Sequence, residues 1–301
     1  MVRQLVPREF LWRAPVWQAD LDAFGDLRNA NLLRLLQEAA TRASTDAGFD
    51  GAYYERTGTM WLIRRTTLSI AGAVRYGETL VVRTWIGDFR RVRSQREYEV
   101  CAGERLIARA SSDWVLVDRA HGRPRRIPKE WESAFNPEGT PPMERTPFPE
   151  AEPPAHATTL HRRVELHDLD ALQHVNNSNY VSYLEQAALD VAAAAGWDLG
   201  EQIAHGGYLR AVGHDLEYLD SALYGERIGI TTWTTKLTAE SVERHTHLHR
   251  GDADRPLLHA RSLYQWTSGQ KATAMPPALR AALGDPDLRG YPASDIFPRH
   301  G

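Results

Sequence analysis

Two stretches decide the fold of this chain, because they are two copies of one motif: Asp20-Leu-Asp-Ala-Phe-Gly-Asp-Leu-Arg-Asn-Ala-Asn-Leu32 and, 148 residues later, Asp168-Leu-Asp-Ala-Leu-Gln-His-Val-Asn-Asn-Ser-Asn-Tyr180. The same spacing separates Gly48 from Gly196, and the Tyr-Gly-Glu run at 76–78 from the run at 224–226. Self-similarity over a whole domain length is the signature of a repeated fold. The sequence therefore predicts one fold that occurs twice.

Length and composition agree with two domains. The chain has 301 residues, of which 42% are apolar, and this is enough for two hydrophobic cores. A formal net charge of −3 argues against a nucleic-acid-binding protein, which would be basic. Cys101 is the only cysteine, so the sequence has no disulfide framework. No apolar run resembles a signal peptide or reaches the roughly 18 residues of a membrane span. We therefore expect a cytoplasmic protein.

The repeat divides the chain into two domains and a linker. Residues 1–132 form the first predicted domain, and residues 161–301 form the second. Between them, residues 133–160 hold seven prolines and few large apolar side chains. This composition is typical of an extended, semi-rigid linker.

Each domain shows the same order of secondary structure. Apolar residues after Asn29 and from Tyr180 onward recur at the spacing of one helix face, and Gly48 and Gly196 are suited to end the two helices. Runs rich in β-branched and aromatic residues predict strands at 8–19, 61–70, 78–86, 96–101, 106–117, 162–166, 208–218, 226–237, 242–250 and 257–266. One long helix on one face of an antiparallel sheet is an α+β arrangement.

The second copy of the motif resembles the active-site segment of hotdog-fold thioesterases of the 4-hydroxybenzoyl-CoA type. The first domain resembles the N-terminal half of fatty acyl-ACP thioesterases, in the runs Trp61-Leu-Ile-Arg64, Thr84-Trp85, Arg96-Glu97, Ala110-Ser-Ser-Asp-Trp114-Val-Leu-Val-Asp118 and Arg126-Ile-Pro128. Those enzymes are tandem double hotdogs. The resemblance therefore implies two units, each a long central helix wrapped by a curved antiparallel sheet, paired as a pseudo-dimer.

The chain departs from the plant acyl-ACP thioesterases at two places. Those enzymes carry an asparagine two residues after the catalytic aspartate, where this chain has Leu172. They also carry a Glu-Cys pair in the following strand, where this chain has Ser221 and Ala222. The resemblance therefore implies the aspartate-centred mechanism of the wider family.

The motif supplies the groups that thioester hydrolysis requires, namely a base or nucleophile and a donor for the oxyanion. Asp170 lies seven residues before Asn177, at a predicted helix start where the first N–H groups lack partners and carry the positive end of the dipole. Asp170 could direct a water or attack the carbonyl directly, and the sequence leaves both open. His174 lies between them and could bond to the carboxylate, the water or the departing thiolate.

The same residues have a structural alternative, because Asp and Asn before a helix are ordinary N-caps. Weighed together with the resemblance, the motif predicts Asp170, His174 and Asn177 as catalytic residues. Trp61 and Tyr180, which belong to the matching runs, are predicted to bind substrate.

The first copy is less suited to catalysis. It has Asp22 and Asn29, but Asp26 stands where the histidine should be. A second carboxylate beside Asp22 would disturb a base by like-charge repulsion. We therefore expect one principal site, in the second domain.

Other polar residues are predicted to have structural roles. Cys101 falls in a strand and is expected to be a buried thiol. His245, His247 and His249 alternate along a strand, which is typical of solvent-facing positions rather than of metal ligands.

Two further sets of polar residues leave their roles more open. Glu185 and Gln37 occupy matching helix positions and are predicted to lie on polar helix faces; a substrate contact is the alternative. Five arginines cluster in one predicted strand pair and form either a solvated face or a surface for an acidic acyl carrier protein: Arg83, Arg90, Arg91, Arg93 and Arg96.

The sequence thus predicts an acyl thioesterase that releases a fatty or polyketide-type acid from acyl carrier protein or coenzyme A. No metal or redox cofactor, nucleic acid or membrane is implied, and the chain is expected to be a monomer or a homodimer. Two alternatives stay open, a non-catalytic acyl-thioester binding protein and a hotdog dehydratase or hydratase.

Overall fold

The computed structural model describes residues 8–135, 147–251 and 255–284. The chain forms two compact units, Met1–Pro147 and Phe148–Gly301. The boundary between them lies inside the predicted linker, at 133–160. Three of the seven linker prolines and the predicted loose tail from residue 285 lie outside the described residues.

Unit 1 combines an antiparallel sheet with one long helix and two short ones. Its described strands are, in chain order, β1 (Glu9–Pro15), β2 (Thr59–Ile70), β3 (Thr79–Arg90), β4 (Arg93–Ala102) and β5 (Arg105–Asp118). Its described helices are α1 (Asn29–Asp46), α2 (Gly51–Thr57) and α3 (Lys129–Phe135). The strands lie in the order β1-β3-β4-β5-β2, and each pair is antiparallel.

Unit 2 repeats this arrangement. Its described strands are β6 (Thr158–Arg163), β7 (Tyr208–Tyr218), β8 (Arg227–Leu237), β9 (Ser241–Arg250), β10 (Pro256–Ser268) and β11 (Lys271–Ala272). Its described helices are α4 (Asn179–Ala194), α5 (Leu199–Ala204) and α6 (Pro277–Leu283). The strands lie in the antiparallel order β7-β10-β9-β8-β6, and β11 pairs with β10.

The two long helices lie where the apolar periodicity predicts them. Helix α1 buries one face, which includes Leu32, Leu36, Ala39, Ala40 and Ala43. Helix α4 buries Tyr180, Tyr183, Leu184, Ala187, Ala188 and Ala192. Beyond the helices, Gly48 and Gly196 adopt φ of 91° and 83°, which a glycine reaches without steric cost. The predicted stops are therefore confirmed.

The first strand of unit 2 differs from the prediction. It was expected at 162–166, but β6 ends at Arg163 and the chain then makes a short 3₁₀ turn at Leu166–Asp168. The Asp168 carboxylate accepts a hydrogen bond from the Glu165 N–H (2.8 Å), and this bond bends the chain out of the sheet. The loop that carries the second motif therefore starts earlier than expected.

Helix α3 completes the core of unit 1. Its Trp131 is 2% exposed and stacks on Phe49 with 3.9 Å between ring centroids. Trp61 packs against the same indole at 5.4 Å. In unit 2, the Tyr264 hydroxyl donates to the Leu184 carbonyl (3.1 Å), which ties β10 to α4.

Each unit buries an arginine at the same point of its sheet. Arg96 on β4 donates to the Thr84 hydroxyl (3.3 Å), and Arg244 on β9, 148 residues later, donates to the Thr232 hydroxyl (3.2 Å). Both side chains are at most 5% exposed. Among the described residues neither guanidinium has a carboxylate partner, and burial lowers the pKa of Arg244 to about 10. Arg96 is therefore not part of the solvated face predicted for the arginine cluster.

The histidines of β9 correct another prediction, because they do not all face solvent. His245 is buried and lies 5.8 Å from the Trp233 ring. His247 stacks on His259 with 3.9 Å between centroids, and the Phe148 ring lies 6.3 Å from His259. The segment that begins at Phe148 thus covers this side of the sheet, and the histidines pack as aromatic groups.

None of the helices in the described ranges is both long enough and apolar enough to cross a membrane.

Candidate active site

The loop between β6 and α4 carries the predicted catalytic residues of unit 2. Two backbone hydrogen bonds close it, from the Asp170 N–H to the His174 carbonyl (2.9 Å) and from the Asn176 N–H to the Asp168 carbonyl (2.9 Å). Gln173, inside the closed loop, has φ of 63°, a left-handed conformation that costs a residue with a side chain about 1–2 kcal/mol. Strain of this kind is concentrated at functional sites.

The two aspartates of the loop have different surroundings. Asp168 is buried, accepts the Glu165 N–H and lies 3.6 Å from the Arg162 guanidinium, so its carboxylate holds the loop together. Asp170 is half-buried, and its Oδ1 accepts one hydrogen bond, from the Leu172 N–H (2.9 Å). Among the described residues its Oδ2 has no partner. Asp170 therefore caps a turn with one oxygen and presents the other.

Helix α4 begins at Asn179, so Asn177, whose N–H was expected among the first-turn groups, precedes the helix. The cause is Asn176, whose carboxamide accepts from the N–H (3.0 Å) and hydroxyl (2.6 Å) of Ser178 and keeps the chain in a turn. The Asn177 carbonyl accepts from the Tyr218 hydroxyl (3.2 Å). No described residue accepts from the Asn177 N–H. The predicted oxyanion donor is thus available, in the turn before the helix rather than in its first turn.

His174 is half-buried, and its backbone pairs with Leu223. Within the described ranges its imidazole makes no hydrogen bond or ion pair. Of the three partners expected for His174, the Asp170 carboxylate is therefore not engaged. The water and the departing thiolate stay as predicted partners.

The corresponding loop of unit 1 is more fully occupied. Oδ1 of Asp22 accepts from two N–H groups, those of Phe24 (2.8 Å) and Asp26 (2.9 Å). Asp26, which replaces the histidine, is 1% exposed and lies 3.1 Å from the Arg75 guanidinium. Gly25, with φ of 76°, takes the place of Gln173. This loop therefore lacks both the imidazole and the strained residue.

Sequence comparison finds thioesterase families in both units. Residues 9–135 match the acyl-ACP thioesterase N-terminal domain, and residues 164–283 match the thioesterase-like superfamily. The putative acyl-CoA thioesterase YneP of Bacillus subtilis is 30% identical over 122 residues, which are 39% of this chain and 88% of that protein. The chain belongs to the thioesterase-like superfamily.

Other relatives of this thioesterase-like chain are plant proteins. Oleoyl-acyl carrier protein thioesterase 2 of Arabidopsis thaliana is 27% identical over 172 residues, 51% of this chain and 47% of that protein. The chain thus spans about half the length of the plant relative.

Solved structures show the same fold. A putative oleoyl thioesterase from Lactobacillus plantarum superimposes with a TM-score of 0.73 at 16% identity, over 86% of this chain and 96% of that one. The 12:0-ACP thioesterase from Umbellularia californica gives 0.68 at 18% identity, over 86% and 94%. The predicted resemblance to the acyl-ACP thioesterase fold is confirmed.

The two predicted substrate-binding residues lie in packed surroundings. Tyr180 is 2% exposed, its hydroxyl accepts from the Ala222 N–H (3.1 Å), and burial raises the pKa of this hydroxyl to about 12. The Ala222 carbonyl accepts from the Val175 N–H (2.9 Å), so Tyr180 supports the catalytic loop from behind. Trp61 is half-buried in the Trp131 cluster of unit 1. Their role in substrate binding stays a prediction.

One polar group was not recognised as such from the sequence. Glu185 of α4 lies 3.5 Å from the fully buried His214 of β7, whose other nitrogen lies 2.9 Å from the Ser262 hydroxyl. Gln37 and Thr66 occupy the positions 148 residues earlier. Ionisable residues at two positions of the second copy, where the first copy has neutral ones, are the sequence signal that could have revealed this group.

Other candidates for chemistry do not form a site. Cys101 is half-buried in β4, and burial together with Glu99 raises the pKa of its thiol, the opposite of what a nucleophile requires. Within the described ranges, no group of three or more His, Cys, Asp and Glu side chains could hold a metal ion.

The arginine cluster is partly neutralised within its own sheet. Arg83 lies 3.4 Å from both Glu9 and Glu99, and Arg90 lies 2.8 Å from Asp88. Arg91 and Arg93 are exposed at the turn between β3 and β4. A carrier-docking role for this cluster stays a prediction.

Proposed function

We propose that this protein hydrolyses an acyl thioester of acyl carrier protein or coenzyme A to a free acid and a thiol, at the β6–α4 loop of unit 2. One observation carries the proposal. The loop carries a half-buried Asp170 carboxylate, one oxygen of which has no partner among the described residues, and an Asn177 N–H for which the described residues supply no acceptor. A thioester requires these two groups, a base or nucleophile and an oxyanion donor.

In the proposed mechanism the Asn177 N–H donates to the thioester carbonyl oxygen, at the positive end of α4. Asp170 then takes a proton from a water that attacks the carbonyl carbon, or attacks that carbon itself to give an anhydride that water cleaves. In both routes the carbon–sulfur bond breaks, and the electron pair leaves with the thiolate. We expect His174, whose imidazole is not engaged by the described residues, to protonate the thiolate and to regain that proton from solvent, to which Asp170 releases the proton that it took from water.

The remaining parts of the proposal concern the carrier and the assembly. The match of residues 9–135 to the acyl-ACP thioesterase domain supports an acyl carrier protein, and the likeness to the Bacillus protein supports coenzyme A. The repeat supports two hotdog domains, 1–132 and 161–301, that pair as a pseudo-dimer with one working site. A cytoplasmic location rests on the single cysteine.

The test is release of free thiol from acyl-ACP and acyl-CoA by wild type, Asp170→Asn and Asp22→Asn. Asparagine can still accept the Leu172 N–H, so the loop keeps its hydrogen bond. Loss of the base should lower kcat by about 10²–10⁴-fold in Asp170→Asn. Asp22→Asn should retain the wild-type rate. If wild type binds acyl thioesters and hydrolyses none, the proposal fails and the protein is an acyl-thioester binding protein.

A further inference from the structure

A buried polar relay lies beneath helix α4. Oε1 of Glu185 is 3.5 Å from Nε2 of His214, and Nδ1 of His214 is 2.9 Å from Oγ of Ser262. The His214 side chain is 0% exposed, whereas the Glu185 side chain is 32% exposed. The relay therefore runs from the interior of unit 2 to a carboxylate that solvent reaches.

Hydrogen-bond chemistry fixes the direction of the relay. An ionised carboxylate only accepts, so in a hydrogen bond between Glu185 and the ring the donor is Nε2 of His214. With the proton on Nε2, Nδ1 accepts from the Ser262 hydroxyl. A carboxylate can accept about four hydrogen bonds. Glu185 is therefore held in place as an acceptor, and the ligand group that it binds must be a donor.

Unit 1 shows that the fold does not require this relay. Gln37 and Thr66 stand at the positions of Glu185 and His214, and the Thr66 hydroxyl lies 3.0 Å from the Ser112 hydroxyl. Burying the His214 imidazole beside a partly exposed carboxylate costs more desolvation energy than burying a hydroxyl beside a neutral amide. The ionisable pair occurs in the unit that carries the catalytic loop. Packing alone, which unit 1 achieves with an amide and a hydroxyl, does not account for this pair.

The position of Glu185 along α4 gives its distance from the reacting group. Glu185 lies six residues beyond Asn179, where the helix begins, and this is about 9 Å along the axis. Asn177 lies in the turn just before. A group bound by Glu185 is thus about 10 Å from the thioester carbonyl, too far to exchange a proton with it. In a bound acyl thioester, the groups at this distance from the carbonyl belong to the acyl chain on one side and to the pantetheine arm on the other.

We propose that Glu185 binds a hydrogen-bond donor of the substrate, a hydroxyl or an amide N–H, about 10 Å from the thioester carbonyl. This inference rests on the proposed hydrolysis and adds a specificity-determining residue to it. His214 acts through Glu185 and is a positioning residue. Two parts of a substrate can supply the donor: the pantetheine arm, with its amides and hydroxyls, and an acyl chain that carries a hydroxyl.

The test measures kcat and KM of wild type, Glu185→Gln, Glu185→Met and His214→Thr, with Gln37→Ala on α1 as the matched control. Three substrates separate the sources of the donor. They are dodecanoyl-CoA, dodecanoyl N-acetylcysteamine, which lacks most of the pantetheine arm, and an N-acetylcysteamine thioester of dodecanoate hydroxylated near mid-chain.

For a substrate with the donor, Glu185→Met should raise KM about tenfold at unchanged kcat, the loss of one hydrogen bond to a charged group. Glu185→Gln, which leaves a neutral acceptor at this position, and His214→Thr should each raise KM about threefold. An effect confined to the CoA thioester assigns the donor to pantetheine, and one confined to the hydroxyacyl thioester assigns it to the acyl chain. Gln37→Ala should match wild type.

Two results would overturn the inference. The first is a change in kcat/KM of less than about twofold by Glu185→Met on all three substrates. The second is a fall in kcat of equal size on all three at unchanged KM, which would place Glu185 at the reacting centre. If the proposed function itself is wrong, wild type hydrolyses none of the three substrates, and this result is distinct from both of the results above.

Discussion

Acid should destabilise this protein through His245 and His247, which the fold holds neutral. Burial is the largest cause that lowers the pKa of each imidazole to about 4. At His245 the charge of Arg261 lowers the pKa further, although the Glu243 carboxylate lies 3.9 Å from the imidazole. A histidine in the unfolded chain titrates near 6.5. The unfolded state therefore binds protons first as the pH falls. The stabilisation is fully present above about pH 6.5 and is lost toward pH 4.

The size of the effect follows from these pKa values. Between pH 7 and pH 5, each histidine should lower the free energy of unfolding by about 2 kcal/mol. The measurement is urea unfolding at pH 7, 6 and 5, for wild type and His245→Phe. A phenyl ring can still pack on Trp233, which lies 5.8 Å from the imidazole, but does not titrate.

The variant should lose about 2 kcal/mol less than wild type over this pH range. His167→Gln, which removes a side chain that is 72% exposed, is the control and should follow wild type. Parallel curves for wild type and His245→Phe, within about 0.5 kcal/mol, would refute the reasoning.

Two further predictions concern the packing of Trp131 in unit 1 and the backbone strain at the matching positions 25 and 173. Trp131→Ala removes a 2% exposed indole and should lower the free energy of unfolding by about 4 kcal/mol. Trp17→Ala, the control, removes a 65% exposed ring and should change the free energy of unfolding by less than about 0.5 kcal/mol. Thermal unfolding of both variants is the measurement. Gly25→Gln places a side chain at φ of 76°, with Cβ 3.2 Å from the Arg75 guanidinium, and should lower the free energy of unfolding by about 1–2 kcal/mol, measured by urea unfolding. Gln173→Gly in unit 2 relieves the same kind of strain and should not lower it; equal losses in the two variants would contradict this account.

The elements that the sequence predicts well are the long and periodic ones. Helices α1 and α4 and the long strands repeat an apolar pattern over many residues, so their pattern determines them. The short helices α2, α3, α5 and α6 have six or seven residues each, too few for periodicity to show. They form because tertiary contacts such as those of Trp131 hold them.

At the site, local sequence predicts the loop but not its contacts. Asp170 and Asn177 lie on one loop, as expected. Asn177 precedes the helix rather than lying in its first turn, because the Asn176 side chain accepts from Ser178, and such a bond leaves no periodic signal. Glu185 and His214 meet only because β7 lies under α4, a long-range pairing that one sequence does not reveal. The burial of His245 on β9 beside Trp233 on β8 likewise depends on strand pairing that one sequence does not reveal.

The arginines at 96 and 244 bear on how this protein responds to heat. Each unit keeps a cation in its interior, bonded to threonine hydroxyls. The free energy of removing a charged group from water becomes smaller as temperature rises, because the hydration of ions has a strongly negative entropy. The two buried guanidinium groups therefore cost the fold most in the cold and least when it is hot. They shift the temperature of maximum stability upward relative to the same chain with methionine at both positions.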